Sequence, residues 1–463
     1  MTSSSLPLLL AFLGLHALLA IAMKELPILA TAHAVVAFLV ALYWAASSRS
    51  AARVVIGICY LAGAEVLWRM TSAAVFWEFG KYAICAVLLL WLLRNRPRKF
   101  NWLALLYIGL LMPSVILTLQ AGFGFNRLRQ VLSFNLSGPL SLVLCAFCLL
   151  EIRLSHVQTS RALLALIGPV AGVAALCLFG TATLPAGYEF GTESNFITSG
   201  GFGPNQVSAT LGLGMLIAFL WMQRQKPMSA RWWLAIALLL FFAGESTFTF
   251  SRTGVWLGIL TICVASFFLV RQSATRLAAV IAAFLVFGCC YLFVFESLDS
   301  FTGGSLSERY TESNLGNRVP IARGDLQLAI RNPLLGVGPG MAEYARRAID
   351  GISEPCHTEF TRLLAEHGLA GLLALGALLA MAGSSLKRAS SSWQQAWTGS
   401  LIAYSLLFMV VSGMRLAAPA VTIGLALLKL PEPENCWFCF TRANDSRRVT
   451  PKTVRFSPQA KRI

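Results

Sequence analysis

The sequence predicts an all-α polytopic membrane protein with 12 to 14 transmembrane helices and one large extracytoplasmic loop containing short helices. Three observations predict it. Of 463 residues, 57% are apolar and only 12% charged, with a mean hydropathy of +0.70, far from the balance of soluble domains. Apolar runs of about 20 residues, enough to cross roughly 30 Å of hydrocarbon, recur along the chain. Basic residues gather in alternate connections between those runs.

Twelve runs centre on 6–23, 27–46, 53–68, 76–93, 102–119, 131–150, 162–180, 206–222, 232–249, 254–270, 277–295 and 362–384, and 397–430 holds one or two more. The first could pass for a signal peptide, but Met1 to Ser5 carry no Lys or Arg and more spans follow, so it reads as a helix. Arg49 and Arg53, Arg94 to Lys99, Arg153 and Arg161, Arg224 to Arg231, Arg271 and Arg276, and Lys387 and Arg388 mark six cytoplasmic connections. Alternation then places the amino terminus inside and the connections at 120–130, 181–205, 250–253 and 296–361 outside. The basic tail from Arg442 to Arg462 favours an even number of spans. Within 296–361, Ile321 to Ile330 suits a short helix ended by Asn332 and Pro333, Gly336 to Gly340 force a turn, and Met341 to Ile349 suit a second helix.

The net charge of +17 is what topology puts into cytoplasmic loops and does not imply nucleic acid. Eleven cysteines are too dilute for a disulfide scaffold, and Cys145, Cys148, Cys177, Cys263, Cys289 and Cys290 lie in apolar runs as small core residues. Cys436 and Cys439 form a single CxxC, half a metal site at best. There is no GxxxxGK[ST], hence no P-loop pump. The four Asp form no DxD pair, so a carboxylate-held metal is not expected. Few acids lie in spans, chiefly Glu65, Glu245 and Glu366, which weakens a coupled transporter.

An Arg on the outer side runs against the charge bias and asks for a reason. Arg252, between two spans with almost no loop, is either a snorkelling anchor or a fork for phosphate oxygens. Between residues 299 and 361 six Arg meet eight acids, so anion binding there needs placed residues rather than a field; Arg318 is preferred, then Arg323. His357 is the one outer histidine just before a span, where a helix dipole keeps imidazole neutral and able to accept a proton. On one continuous helix, Gly368 and Gly371 share its face and close packing there would orient it. Arg362, Glu366 and His367 read as an intrahelical ion pair and its neighbour, and Glu78 with Lys81 as another structural pair. His16, His33 and His156 read as packed or interfacial. Ser199 to Gln206 is either a plain turn into a helix or a set of exposed amides for an anion.

His357 and Thr358, with Gly368 and Gly371 at their spacing, and Arg331 to Gly340, reading RNPLLGVGPG, resemble the bacterial O-antigen ligase and O-antigen polymerase superfamily. Gly203 to Gln206 and Ser251 to Gly254 are similar to two further blocks of that family, and the likeness covers roughly 181–385. Thr358 stands where Asn, Ser or Gln is more usual and keeps a hydroxyl.

The resemblance implies a GT-C-like glycosyltransferase without cofactor or metal. It would take a glycan from undecaprenyl diphosphate at the periplasmic face of the inner membrane. Carried over by position, Arg252 and Arg318 would hold the donor diphosphate and His357 would act on the acceptor hydroxyl. Arg323, Asn205, Gln206 and Thr358 would contact substrate. Expected partners are the lipid-linked donor, a glycan or lipid A core acceptor and membrane lipid. The chain would divide into amino-terminal spans at 1–180, a ligase-like core at 181–385 holding the loop 296–361, further spans at 386–430 and a basic tail at 431–463. A ligase onto lipid A core leads; a polymerase of lipid-linked repeats is the alternative, transfer to protein is less favoured, and a flippase or transporter is the competing class.

Overall fold

The computed structural model describes residues 5–47, 50–95, 99–270, 295–311, 318–351 and 354–432, with Gly288 and Leu292. Most of the 277–295 run, Cys289, Cys290, the CxxC and the basic tail lie outside them. Among the described residues regular structure is helical, apart from one isolated bridge between Arg153 and Lys429.

In chain order the helices are α1 (Leu6–Glu25), α2 (Pro27–Ser47), α3 (Ala51–Met70), α4 (Phe79–Arg94), α5 (Trp102–Leu111), α6 (Val115–Leu119), α7 (Phe125–Cys148), α8 (His156–Ala182), α9 (Pro204–Met222), α10 (Ala230–Phe248), α11 (Arg252–Val270), α12 (Ser305–Thr311), α13 (Arg318–Arg331), α14 (Ala342–Asp350), α15 (Glu359–Arg388), α16 (Ser392–Val411) and α17 (Ala418–Ala426). Ten of the described helical stretches are long and apolar enough to cross a membrane, counting α5 with α6 as one. The 76–93 run forms the shorter α4, and 397–430 forms α16 and the nine-residue α17.

Helices α3, α8 and α9 are mostly buried and make the centre, while α1 and α2 lie on the rim. Close approach is built with small residues: a Cβ on Gly254 of α11 would strike the Ser208 carbonyl of α9, so both helices touch backbone to backbone. Cys145, Cys148 and Cys177 are buried core residues as expected, but Cys263 is exposed on the outer face of α11 and is no core residue.

The connections sort to two ends. At one end Glu151 pairs with Lys99 and Lys429, Arg224 donates to His156 and lies over the Trp393 ring, and Gln394 donates to the Leu428 carbonyl. Several of the basic connections are thereby neighbours. At the other end meet the close of α3, the start of α9, the α10–α11 turn, the start of α15 and the segment 412–417.

Two helices break where they pack. The α5–α6 run is interrupted at Met112, Pro113 and Ser114, and α15 is interrupted at Gly368, whose φ of 57° and ψ of −133° are not helical. Ser114 Oγ lies 2.5 Å from Nδ1 of His367 between the two breaks. The carbonyls that the α15 break frees are taken by the glycine-rich segment: Val337 N–H donates to Ala365 and Gly338 N–H to Glu366, both at 2.9 Å, and Leu369 N–H donates to Pro333 at 2.7 Å. Gly336, Gly338 and Gly340 all have positive φ, the conformation this winding requires. The expectation of one continuous helix face through His357, Gly368 and Gly371 is therefore wrong. His357 precedes the helix, and Gly368 ends its first part so that RNPLLGVGPG can dock.

Candidate active site

The two short motifs around α9 and α11 form one unit. Ser251 Oγ donates to Asn205 Oδ1 at 2.7 Å, and the Gly254 amide donates to Ser208 Oγ at 2.8 Å. Phe250 takes a left-handed φ of 57°, which turns α10 into α11 and leaves Arg252 as the first residue of α11. The turn is braced by Arg309 of α12, whose Nε–H donates to the Phe250 carbonyl at 3.1 Å, and by the Phe190 ring stacked on Phe250 at 5.6 Å.

Arg318 opens α13 and is half-buried. Burial and the positive fields of Arg309 and Arg252 hold its pKa below the ordinary arginine value. Three guanidiniums from three segments thus share one neighbourhood. Such repulsion favours a polyanion between them.

His357 lies on the strand of chain that leads into α15, with Thr358 as the N-cap residue accepting the Thr361 amide at 3.2 Å. Its pKa is lowered by burial first, then by Arg318 and Arg415, against a raising effect of Glu354, whose carboxylate is 3.7 Å from Nε2. Neutral imidazole is thus favoured as the sequence suggested, but the causes are desolvation and two guanidiniums.

The chain at 354–358 is held by a buried clamp. Asp325 of α13 pairs with Arg346 of α14, both fully buried. Arg346 also donates to the Glu354 carbonyl and contacts Cys356 Sγ, while Thr361 Oγ1 donates to Asp325 Oδ2 at 2.8 Å. Four groups on three helices and one loop thereby fix the backbone on which His357 sits.

Sequence reasoning passed over Arg415 and Arg69. Arg415 Nη2–H donates to the Cys356 carbonyl at 2.8 Å, next to His357. Its segment is pinned by charged groups from distant helices: the Ala417 amide donates to Glu65 at 2.7 Å, the Met414 amide to Glu359 at 3.1 Å, and Lys81 and Arg69 donate to the carbonyls of Met414 and Arg415 at 3.2 Å each. Glu78 and Lys81 pair as read, yet Lys81 also serves this segment. Arg69 spans Glu65, Gln206 and the Trp77 ring. It closes α3 at the outer end by the charge alternation, so the rule that flagged Arg252 could have flagged it.

The remaining residues differ from one another. Asn205 is exposed, with Oδ1 committed to Ser251, and Gln206 Oε1 accepts from Arg69 at 2.7 Å. Arg323 is exposed and stands about 140° around α13 from Arg318, so the helix does not aim both at one point. Gly200 and Gly201 donate their amides to Ile197 and Phe196, which makes 199–206 a turn into α9 rather than an anion cradle. Arg362 bridges Glu359 and Glu366, the latter at 2.6 Å, as an internal ion-pair triad.

Next to Cys356 a small cleft with a cavity volume of about 60 Å³ is bounded by the ion-pair triad, Arg415, Glu343, Phe134 and Asn135.

These features define a class: a multi-pass helical membrane protein whose connections assemble arginines and one imidazole at one end of the bundle. Residues 246–376 match the family model of O-antigen ligase, which supports the O-antigen ligase superfamily and a glycosyltransferase of the ligase or polymerase kind. No curated protein matches the chain.

Proposed function

We propose that the protein transfers a glycan from undecaprenyl diphosphate to a hydroxyl of lipid A core at the periplasmic face of the inner membrane. The observation that carries this reading is the place of Arg318 within the matched segment, where it feels the charges of Arg309 and Arg252 and is itself felt by His357. Arg252 and Arg318 grip the diphosphate and offset the charge that grows on it as the glycan leaves. His357 accepts the proton of the acceptor hydroxyl through its neutral imidazole. The acceptor oxygen bonds to the anomeric carbon, and that carbon's bond to the phosphate oxygen breaks with its electron pair, releasing undecaprenyl diphosphate. Single displacement inverts the anomeric centre. Confinement of the donor to the membrane restricts its approach and lowers the entropic barrier.

The test supplies membranes containing the protein with labelled carrier-linked glycan. Label on lipid A core supports the ligase. A ladder on the carrier makes it a polymerase instead. Label that crosses the membrane without joining any acceptor overturns the enzyme reading, and full transfer by His357→Ala overturns the base assigned to it.

A further inference from the structure

We infer that α13 lies in the plane of the membrane at the level of the lipid headgroups, with an apolar stripe set into the acyl chains and a row of arginines on lipid phosphates. The stripe is written in the helix. Val319, Leu326 and Ile330 are 49%, 45% and 78% exposed, and at about 100° per residue Leu326 and Ile330 point within about 20° of Val319. Ile321, Asp325 and Leu328 are buried on the opposite side, so the stripe is not the face by which α13 packs. Pro333 and Leu334, both exposed, prolong it past the helix end. An apolar face left over on a helix that is already packed asks for a second apolar surrounding.

What covers the stripe follows from where it lies. The Pro333 and Leu334 carbonyls accept the amides of Leu369 and Ala370 at 2.7 and 3.4 Å, which seats the end of α13 on the break in α15. From Leu369 to Arg388 α15 is unbroken, and at about 1.5 Å per residue it covers about 30 Å, the thickness of the hydrocarbon. The break therefore sits at one edge of the hydrocarbon, with Lys387 and Arg388 at the other. Leu369, Leu372 and Leu373 are exposed just beyond the break, on a helix apolar enough to span. Leu334 thus joins Ile330 to a lipid-facing surface where acyl chains give way to headgroups. A soluble partner would have to cover the stripe yet stop at Leu334, where the surface passes into lipid. The polar edge suits the same level: Arg323, Gln327 and Arg331 are exposed and recur every four residues along one flank of the stripe. Guanidinium forks fit lipid phosphates, and their apolar stems lie along the boundary. Arg318 opens this helix about 100° around from the stripe and is half-buried, so an in-plane α13 holds that guanidinium at the height of lipid phosphates.

The experiment uses the full-length protein in phosphatidylcholine liposomes with or without phosphatidylglycerol. A benzophenone amino acid is placed at Leu326, at Ile330 or, as a lipid-facing reference, at Leu373, and the adducts formed under ultraviolet light are read by mass spectrometry. All three side chains are exposed, so these replacements leave the packing intact. Acyl-chain adducts at Leu326 and Ile330 are expected in yields comparable with Leu373. Lipid adducts at Leu373 with none at the other two positions overturn the proposal, as do adducts there to a second copy of the chain. Amide exchange over 318–334 reads the arginine row: phosphatidylglycerol is expected to slow it by about twentyfold, roughly fivefold for each arginine, and joint Arg323→Gln and Arg331→Gln to abolish that slowing. Equal slowing in the double variant, or none in the unaltered chain, overturns the contact with phosphates.

Discussion

Replacing Asp325 by Ala removes the carboxylate of the clamp and leaves Arg346, fully buried, with a carbonyl and a thiol for company. An uncompensated buried guanidinium costs about 3–5 kcal/mol, whereas Ala is at no disadvantage within α13. The cost falls on what the clamp holds, the segment 354–361. Amide hydrogen exchange there is expected to quicken by about two to three orders of magnitude, since each 1.4 kcal/mol is roughly a factor of ten. Transfer is expected to drop about a hundredfold, because an ångström of misplacement in a catalytic group costs that much. Paired replacement by Asp325→Leu and Arg346→Met removes both charges together and is expected to restore slow exchange. Exchange within tenfold of the unaltered chain in the single variant, or a double variant as labile as the single one, refutes the reasoning.

Arg252→Lys keeps the charge but loses the fork and is expected to lower transfer by about 10²–10³, measured as kcat/KM for the donor; near-normal turnover tells against diphosphate gripping. The acid limb of the rate profile is expected below the ordinary imidazole value of 6.5, because burial, Arg318 and Arg415 disfavour the His357 cation. Arg415→Gln removes one opposing charge and moves that limb to higher pH, while Glu354→Gln moves it lower; a limb that stays put in both variants dissociates it from His357. Gly368→Ala places a Cβ 2.6 Å from the Pro333 carbonyl at a φ of 57° and is expected to cost about 1–3 kcal/mol from backbone strain before the clash is counted, read as a lowered Tm and loosened exchange at 333–340.

Some of this was legible before any coordinates. Apolar runs and alternating charge are local properties with a fixed physical meaning in a bilayer, so they specify helices and their ends directly. Arg252 and His357 stood out because each breaks a local expectation. RNPLLGVGPG announced positive-φ turns through its glycines. Arg415 and Arg69 did not stand out, since their importance depends on which distant helix each one meets. The clamp of Asp325 and Arg346, 21 residues apart, was invisible for the same reason.

The misreadings share that origin. Helical periodicity put His357 on a face with Gly368 and Gly371, and nothing nearby in sequence says that the helix breaks there. The break exists because Pro333, Val337 and Gly338 supply replacement partners for the backbone groups it frees, and those partners arrive from another segment. By itself, then, the order of residues determined that the chain is built of apolar helices suited to a membrane, and which few side chains are out of place for a lipid environment. Tertiary structure alone decided where helices interrupt, which charges neutralise one another, and which guanidiniums face the imidazole, because a backbone group or a buried ion is satisfied by whatever the fold brings within hydrogen-bonding distance.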